Sequence, residues 1–506
     1  MKRLFIMVII SFTTLVVWAQ GKYTMDYVVT LDTEHHFLNI ELTMDWGNAS
    51  PSEVMLKLPV WAPGYYQIMD YPKYVTDFAV KDLDGNDVTW TKVGKTGWQF
   101  SPSGKVKVSY RVYANMRSVA DSMVGKDMAF IAPNGVFMYV DGDKEHQVTV
   151  TYVMPESWKN ASTSLEAIVN EGKERKFLSP DFDTLYDSPV LLGNHMVKKT
   201  THEGHEYEFA IVGYNGFEES GFEKDFLNMV SATSKLIGDV PYDKYCVIHL
   251  GPGGGGLEHL SSQACYTSGS YKFHSRNDYL RHLSFVSHEY FHLYNVKSIR
   301  PIELGPFDYD REVFTSLLWV SEGFTCYYEN KNLISAGIVD VDFLLSDVSS
   351  GVRTIETAEG RKHMSLRQSS YDIWLNFMNR MECSDDLVIS YYDKGPVFGL
   401  LFDIEIADAT NGKACLDDLM RLLYHRYYKQ KQRGFTEEEF WQAAAEVAGK
   451  PLTQLRHYVD TTDEIDYESI LKLAGLEIDR TSWKITQTAN PDSRQKKIFN
   501  SMFKQN

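Results

Sequence analysis

The chain has 506 residues, 43% of them hydrophobic, and carries a formal charge of −17. That acidity argues against nucleic-acid binding, which draws its affinity from Lys and Arg on phosphates, and leaves the substrate open. Its five cysteines, Cys246, Cys265, Cys326, Cys383 and Cys415, are scattered, odd in number and without metal-ligand spacing, which excludes a disulfide scaffold.

The N-terminus carries Lys2 and Arg3, an apolar run over residues 4–17, and Val17-Trp18-Ala19 before Gln20. This is the pattern of a secretory signal peptide cleaved after Ala19. It predicts an exported protein, periplasmic or extracellular, with no stable membrane insertion once the signal is removed. The run is short for a membrane span; an uncleaved anchor is the alternative reading. No cysteine follows the cleavage point, which argues against a lipid anchor. Cleavage removes Lys2 and Arg3 and leaves a charge of −19.

The remaining chain is long enough for several domains and reads as an α+β multidomain protein. Apolar and polar residues alternate at Leu38, Ile40, Leu42 and Met44, at Val106, Val108, Tyr110 and Val112, and at Val148, Val150 and Tyr152. Turns are marked by Asp84-Gly85-Asn86 and Pro133-Asn134-Gly135. Period-two alternation predicts an antiparallel β domain over residues 20–175. Within it, Leu58-Pro59-Val60-Trp61-Ala62-Pro63-Gly64-Tyr65-Tyr66 is either a rigid loop on the core or the lining of a cleft.

From residue 176 the pattern turns mixed, then helical. Phe222, Phe226, Met229, Val230 and Thr233 mark a helix, residues 244–250 a strand, and Gly251 to Gly256 a glycine-rich loop where backbone can approach a ligand closely. Residues 338–476 read as a helical domain, in which Thr436 and Glu439 form a capping box. The last stretch, 477–506, reads as a short appendage. No internal repeat is present.

The chemistry lies between these regions. His288-Glu289-Tyr290-Phe291-His292 is an H-E-x-x-H, on a helix that Asp278 can cap and that is expected to end near Asn295. Residues four apart share one helix face, so His288 and His292 can both aim an imidazole nitrogen at one metal ion. Glu289 lies about 100° round the helix, where a general base for water must sit. A second helical pattern, over 314–337, holds Trp319-Val320-Ser321-Glu322-Gly323. Glu322 stands among apolar residues, where a lone charge is costly and a metal held by the facing helix would offset it. Two His and a carboxylate, with one position open, make a hydrolytic zinc site. The bland alternative is a helix with two core or solvated histidines. Cys326, near Glu322, reads as a small core residue.

The run from His288 through Tyr294-Asn295-Val296-Lys297-Ser298-Ile299-Arg300-Pro301, then Leu304-Gly305-Pro306-Phe307-Asp308-Tyr309, then Leu318 to Thr325 with Tyr327-Tyr328, resembles the glycyl aminopeptidase family of zinc metallopeptidases, which are gluzincins. Tyr294 stands where that family usually has tryptophan. The resemblance implies a thermolysin-like catalytic domain over 176–337 and one Zn2+ per chain on His288, His292 and Glu322. It implies Glu289 as general base, and an N-terminal domain to which the segment around Trp61 belongs. Many members carry a C-terminal PDZ domain, for which too few residues follow here.

Two further roles come only from that resemblance. Glu258, in Gly255-Gly256-Leu257-Glu258-His259, would grip the free α-ammonium of a peptide; the alternative is an ordinary edge-strand glutamate. Leu257 and His259 depart from the wider aminopeptidase N pattern, and His259 reads as a supporting donor rather than a ligand. In Ser390-Tyr391-Tyr392-Asp393-Lys394-Gly395, Tyr392 aligns with the tyrosine that stabilises the oxyanion, with Tyr391 as runner-up. The implied activity is aminopeptidase action on peptides with a free N-terminus, with small first residues preferred. An endopeptidase on the same scaffold, or an inert peptide-binding relative, are the alternatives.

Overall fold

The computed structural model describes residues 23–376 and 381–503; the signal peptide read over residues 1–19 lies outside the described residues. The alternating segments of the N-terminal third form a seven-stranded sheet in the order Glu166–Val169, Glu174–Ser179, Val148–Val153, Thr24–Asp32, Phe37–Asp45, Lys105–Tyr113, Val75–Asp82. Leu38, Ile40, Leu42 and Met44 all point inward, as do Val106, Val108, Tyr110 and Val112, because side chains two apart share a sheet face. Two four-stranded sheets share this core through Leu56, Trp98, Phe100, Ala129 and Ile131.

The sheet is not wholly antiparallel: Thr24–Asp32 runs parallel to Val148–Val153. Parallel neighbours need a long crossover, and the rest of the domain, folded between these two strands, supplies it. The β region also extends past residue 175, which falls inside the strand Glu174–Ser179, to Val190–Gly193.

A second, five-stranded sheet begins at once: β1 (Met196–His202), β2 (His205–Ile211), β3 (Lys244–Pro252), β4 (Gly256–Glu258) and β5 (Ser262–Thr267), in the order β1-β2-β3-β5-β4. The short strand β4 is its edge and pairs antiparallel with β5. Helix α1 (Phe222–Ile237) buries Phe222, Phe226, Met229 and Val230 in the core that also holds Phe209 and Val247 of this sheet. Helix α2 (Arg276–Phe291) packs on β4 and β5 and on α3 (Phe324–Ser335). Beyond lie α4 (Tyr391–Ala409) and further helices; Thr436 and Glu439 close the expected capping box, with bonds of 3.2 and 3.0 Å.

The final stretch is not an appendage. It folds as a hairpin, Leu476–Asp479 with Lys484–Gln487, and a helix, Ser493–Met502, that packs on α4. Ile485, Ile498 and Met502 are buried in the core shared with α1 to α4. The apolar spacing of these three residues is what a sequence rich in Thr, Asn and Lys obscured. Val60, Trp61 and Tyr66, from the N-terminal half, join the same core. All five cysteines are free. Among the described residues no helix is long and apolar enough to cross a membrane.

Candidate metal centre

Ser275, not Asp278, caps α2: its Oγ accepts from Asp278 N–H at 3.1 Å, and Asp278 sits one turn in, where its charge favours the helix N-terminus. The helix ends at Phe291 rather than near Asn295, because the chain curls back after His292. That curl brings the Asn295 carbonyl 2.7 Å from His292 Nδ1. At the other histidine, Nδ1 meets Glu329 Oε2 at 2.9 Å. Each Nδ1–H is thus donated outward, which fixes the ring and leaves Nε2 as the inward acceptor. The two Nε2 atoms stand 3.0 Å apart.

The expected helix over 314–337 starts only at Trp319, and its first turn, Trp319–Gly323, is a wide π turn leading into α3. Such turns are frequent at functional sites. Asn295 anchors it, donating from Nδ2 to the carbonyls of Val320 and Ser321 at 2.8 and 3.0 Å. Glu322, 2% exposed, then brings Oε2 to 3.2 Å from His292 Nε2 and 3.7 Å from His288 Nε2. Burial alone would raise its pKa; the two imidazoles outweigh this and hold it below the ordinary carboxylate range. The three donor atoms lie within 4.8 Å of one another. Tetrahedral ligands at the ~2.0–2.1 Å typical of such sites are about 3.3 Å apart, so this donor set fits one metal ion.

Glu289 lies beside this triad. Its carboxyl is pushed up to about 7, first by burial, with Glu258 and Glu322 adding to the effect against His288 and His292. A Cβ on Gly256 would stand 2.1 Å from Glu289 Oε1. The glycine-rich loop therefore lets its backbone press directly against this carboxyl. Two residues on, Glu258 is 4% exposed, and its Oε1 has no hydrogen-bond partner. Gly64, from the N-terminal half, closes over it: a Cβ there would be 2.4 Å from that oxygen. Glu258 shares a cavity of about 10 Å³ with Trp61, Pro63, Tyr66 and Phe307. The aromatic, proline-rich run thus lines the site.

Ser390 caps α4, its Oγ accepting from Tyr392 N–H at 3.1 Å. Gly395 of this helix and Gly323 of the π turn meet backbone to backbone; a Cβ on Gly395 would lie 2.3 Å from Gly323 Cα. That close crossing sets Tyr391 and Tyr392, ring centroids 4.7 Å apart, within the field of Glu322. Burial first, then that charge, push both phenols well above their ordinary pKa, so both stay protonated donors.

All the residues singled out from the sequence therefore converge: His288, His292, Glu322, Glu289, Glu258, and the pair Tyr391 and Tyr392. His259 is not among the donors; its Nδ1 faces Asp187 Oδ1 at 3.1 Å. Cys326 is a correction: it is only part-buried, and its Sγ lies 3.7 Å from His288 Nδ1. Sequence reasoning missed Glu329 and Tyr66. Glu329 is seven residues past Glu322, on the same helix face, so its spacing was readable. Tyr66, whose buried phenol is pushed well above its ordinary pKa first by burial and then by the charge of Glu322, has no local signal, being brought in by a loop of the N-terminal half.

Two family models match the chain: the peptidase M61 N-terminal domain over residues 26–194, and M61 glycyl aminopeptidase over 281–398, together more than half of its length. No curated protein matches it. Among solved structures, its fold is similar to an aminopeptidase N family protein from Idiomarina loihiensis, with a TM-score of 0.84 and 24% identity over 90% of this chain and 79% of that one. It is also similar to a variant M1 zinc metallopeptidase from Deinococcus radiodurans bound to a Tyr-Ser-Ala substrate, with a TM-score of 0.53 and 13% identity over 88% of this chain and 95% of that one. With an H-E-x-x-H helix, a facing glutamate and both family models in place, the chain belongs to the M61 glycyl aminopeptidase family of metallopeptidases.

Proposed function

We propose that this protein is a zinc-dependent aminopeptidase that removes small N-terminal residues, glycine or alanine, from peptides. The observation that carries this reading is a buried carboxylate with a free oxygen, Glu258, facing the same site as the His288, His292 and Glu322 donor set. Those three residues would hold the ion through Nε2, Nε2 and Oε2. When bound, zinc supplies Lewis-acid chemistry, polarising a carbonyl and acidifying water.

The chain's own groups do the rest. Glu289 takes the proton of the attacking water on its carboxylate and passes it to the leaving amine nitrogen, and a pKa near neutrality suits both steps. Tyr392, with Tyr391 as second candidate, donates its phenol O–H to the developing oxyanion. Glu258 Oε1 accepts from the substrate α-ammonium, a charge-assisted bond in a water-poor setting, so one residue leaves per cycle. The cavity of about 10 Å³ beside Glu258, walled by Trp61, Tyr66, Val296, Leu304 and Phe307, supports a hydrogen or methyl side chain at the first position. Residues 1–19 support export before the enzyme acts.

Glu258→Ala, compared on an alanyl peptide and its N-acetyl twin, tests this. Losing the contact is expected to cost about 10- to 150-fold in kcat/KM on the free amine alone. An equal loss on both substrates, with zinc retained, would favour an endopeptidase.

A further inference from the structure

Glu258 has a neighbour of opposite charge that does not pair with it. Lys297, in the curl after α2, lines the same small cavity. Its side chain is only 7% exposed, and its Nζ lies 2.8 Å from Asp187 Oδ1. Among the described residues Glu258 forms no ion pair, and its Oε1 is left without a partner. A lysine ammonium on a four-carbon stem can rotate toward either of two nearby carboxylates. Burial makes an unpaired carboxylate costly, so the pairing of Lys297 with Asp187 alone needs a reason.

Asp187 supplies it. It stands at the end of the short helix Phe182–Tyr186 in the N-terminal half. Besides Lys297 it meets His259 Nδ1 at 3.1 Å and accepts from Leu260 N–H at 2.8 Å. Those two residues directly follow Glu258, so one carboxylate ties down both the strand end that carries Glu258 and the lysine beside it. Lys297 is further pinned through its backbone, its N–H donating to the His292 carbonyl at 3.0 Å. An ammonium from Lys297 and one from a substrate are the same ligand to Glu258. Were Lys297 to turn, it would occupy the oxygen that a peptide N-terminus needs.

We infer that Asp187 is a positioning residue that holds Lys297 away from Glu258, keeping that carboxylate open for the α-ammonium of a peptide. This rests on Glu258 as the N-terminal anchor. Its role is specificity: free-amine substrates depend on it, and substrates without the amine do not.

The test measures KM and kcat for an alanyl peptide, and Ki for its propionyl twin, which lacks only the amino group. Asp187→Asn is expected to raise KM at least about tenfold, the worth of one charge-assisted contact, with kcat and the propionyl Ki little changed. Adding Lys297→Met to Asp187→Asn is expected to return KM close to the wild-type value. A propionyl Ki that worsens in step with KM, or a double variant no better than the single, overturns the inference. Lys297→Met alone covers the case in which Asp187→Asn does not fold. It is expected to leave the ratio of the alanyl KM to the propionyl Ki within about twofold, and a tenfold rise in that ratio would show that the lysine itself serves the free amine, again overturning it. Glu258→Ala run in parallel separates the two failures. A selective loss there without one in Asp187→Asn removes only the Asp187 role; no selective loss in Glu258→Ala removes the anchor and this inference together.

Discussion

Gly256 must be a glycine because Glu289 stands where its side chain would go. The same pressing of backbone onto carboxylate keeps Glu289 dry, and dryness is the first cause of its raised pKa. Glu289→Gln preserves the shape and removes the proposed base. It is expected to retain zinc while kcat falls at least about a hundredfold, within the range for a lost general base; metal analysis with steady-state kinetics checks this, and near-normal turnover would remove Glu289 from the role. At this scale the sequence was most informative where spacing alone sets geometry. His288 and His292, four apart, needed only a helix to converge. Glu258 and Tyr392 could be singled out only by resemblance, since nothing in their local pattern says which surface they face. Tyr66 could not be found at all, because Glu322, whose charge it feels, is 256 positions away and no periodicity links them.

Between elements, the decisive contact is the crossing of α4 with the π turn at Gly395 and Gly323. Each glycine belongs to a motif visible in the sequence, but their contact is a property of two helices meeting. Overpacking of this kind costs about 1–3 kcal/mol, and here the shifted parts carry Glu322 on one side and the tyrosines on the other. Gly395→Ala is therefore expected to lower the melting temperature and weaken zinc retention together. Thermal unfolding and metal content measured on one preparation check it; a variant normal in both would show that the crossing has slack. Strand and helix positions were legible wherever burial was one-sided, as at Leu38 to Met44 or Phe222 to Thr233. Ends were not: α2 stops at Phe291 because of a turn closed by His292 and Asn295, which a helical pattern continuing through Leu293 does not reveal.

For the molecule as a whole, Asp187 joins the two halves, an arrangement no segment of sequence contains. Burial would raise its pKa, but Lys297 and His259 hold it down at about 2, below the ordinary aspartate value of 3.8. A carboxylate depressed on folding contributes stability that is fully present above its unfolded pKa and lost as pH falls toward the folded one. The pH 4 to 2 window is therefore where this contribution, about 2 kcal/mol from the size of the shift, disappears. Melting temperatures of wild type and Asp187→Asn are expected to differ at pH 6 and to converge as pH falls through that window. A constant gap would mean that the aspartate's charge is not what joins the halves.

Gly64 bears on how such a protein can change over evolutionary time. Its backbone forms a wall of the small cavity around Glu258, yet it is encoded some 200 positions upstream of that residue, in a turn of the N-terminal half. Recombination that exchanged the β half for a relative's would replace that wall along with Trp61, Tyr66 and Asp187. The donor set of His288, His292 and Glu322 would be inherited intact, while the cavity proposed to receive the substrate would not. On the proposed reading, selectivity would be a trait of the pairing, carried by neither half alone.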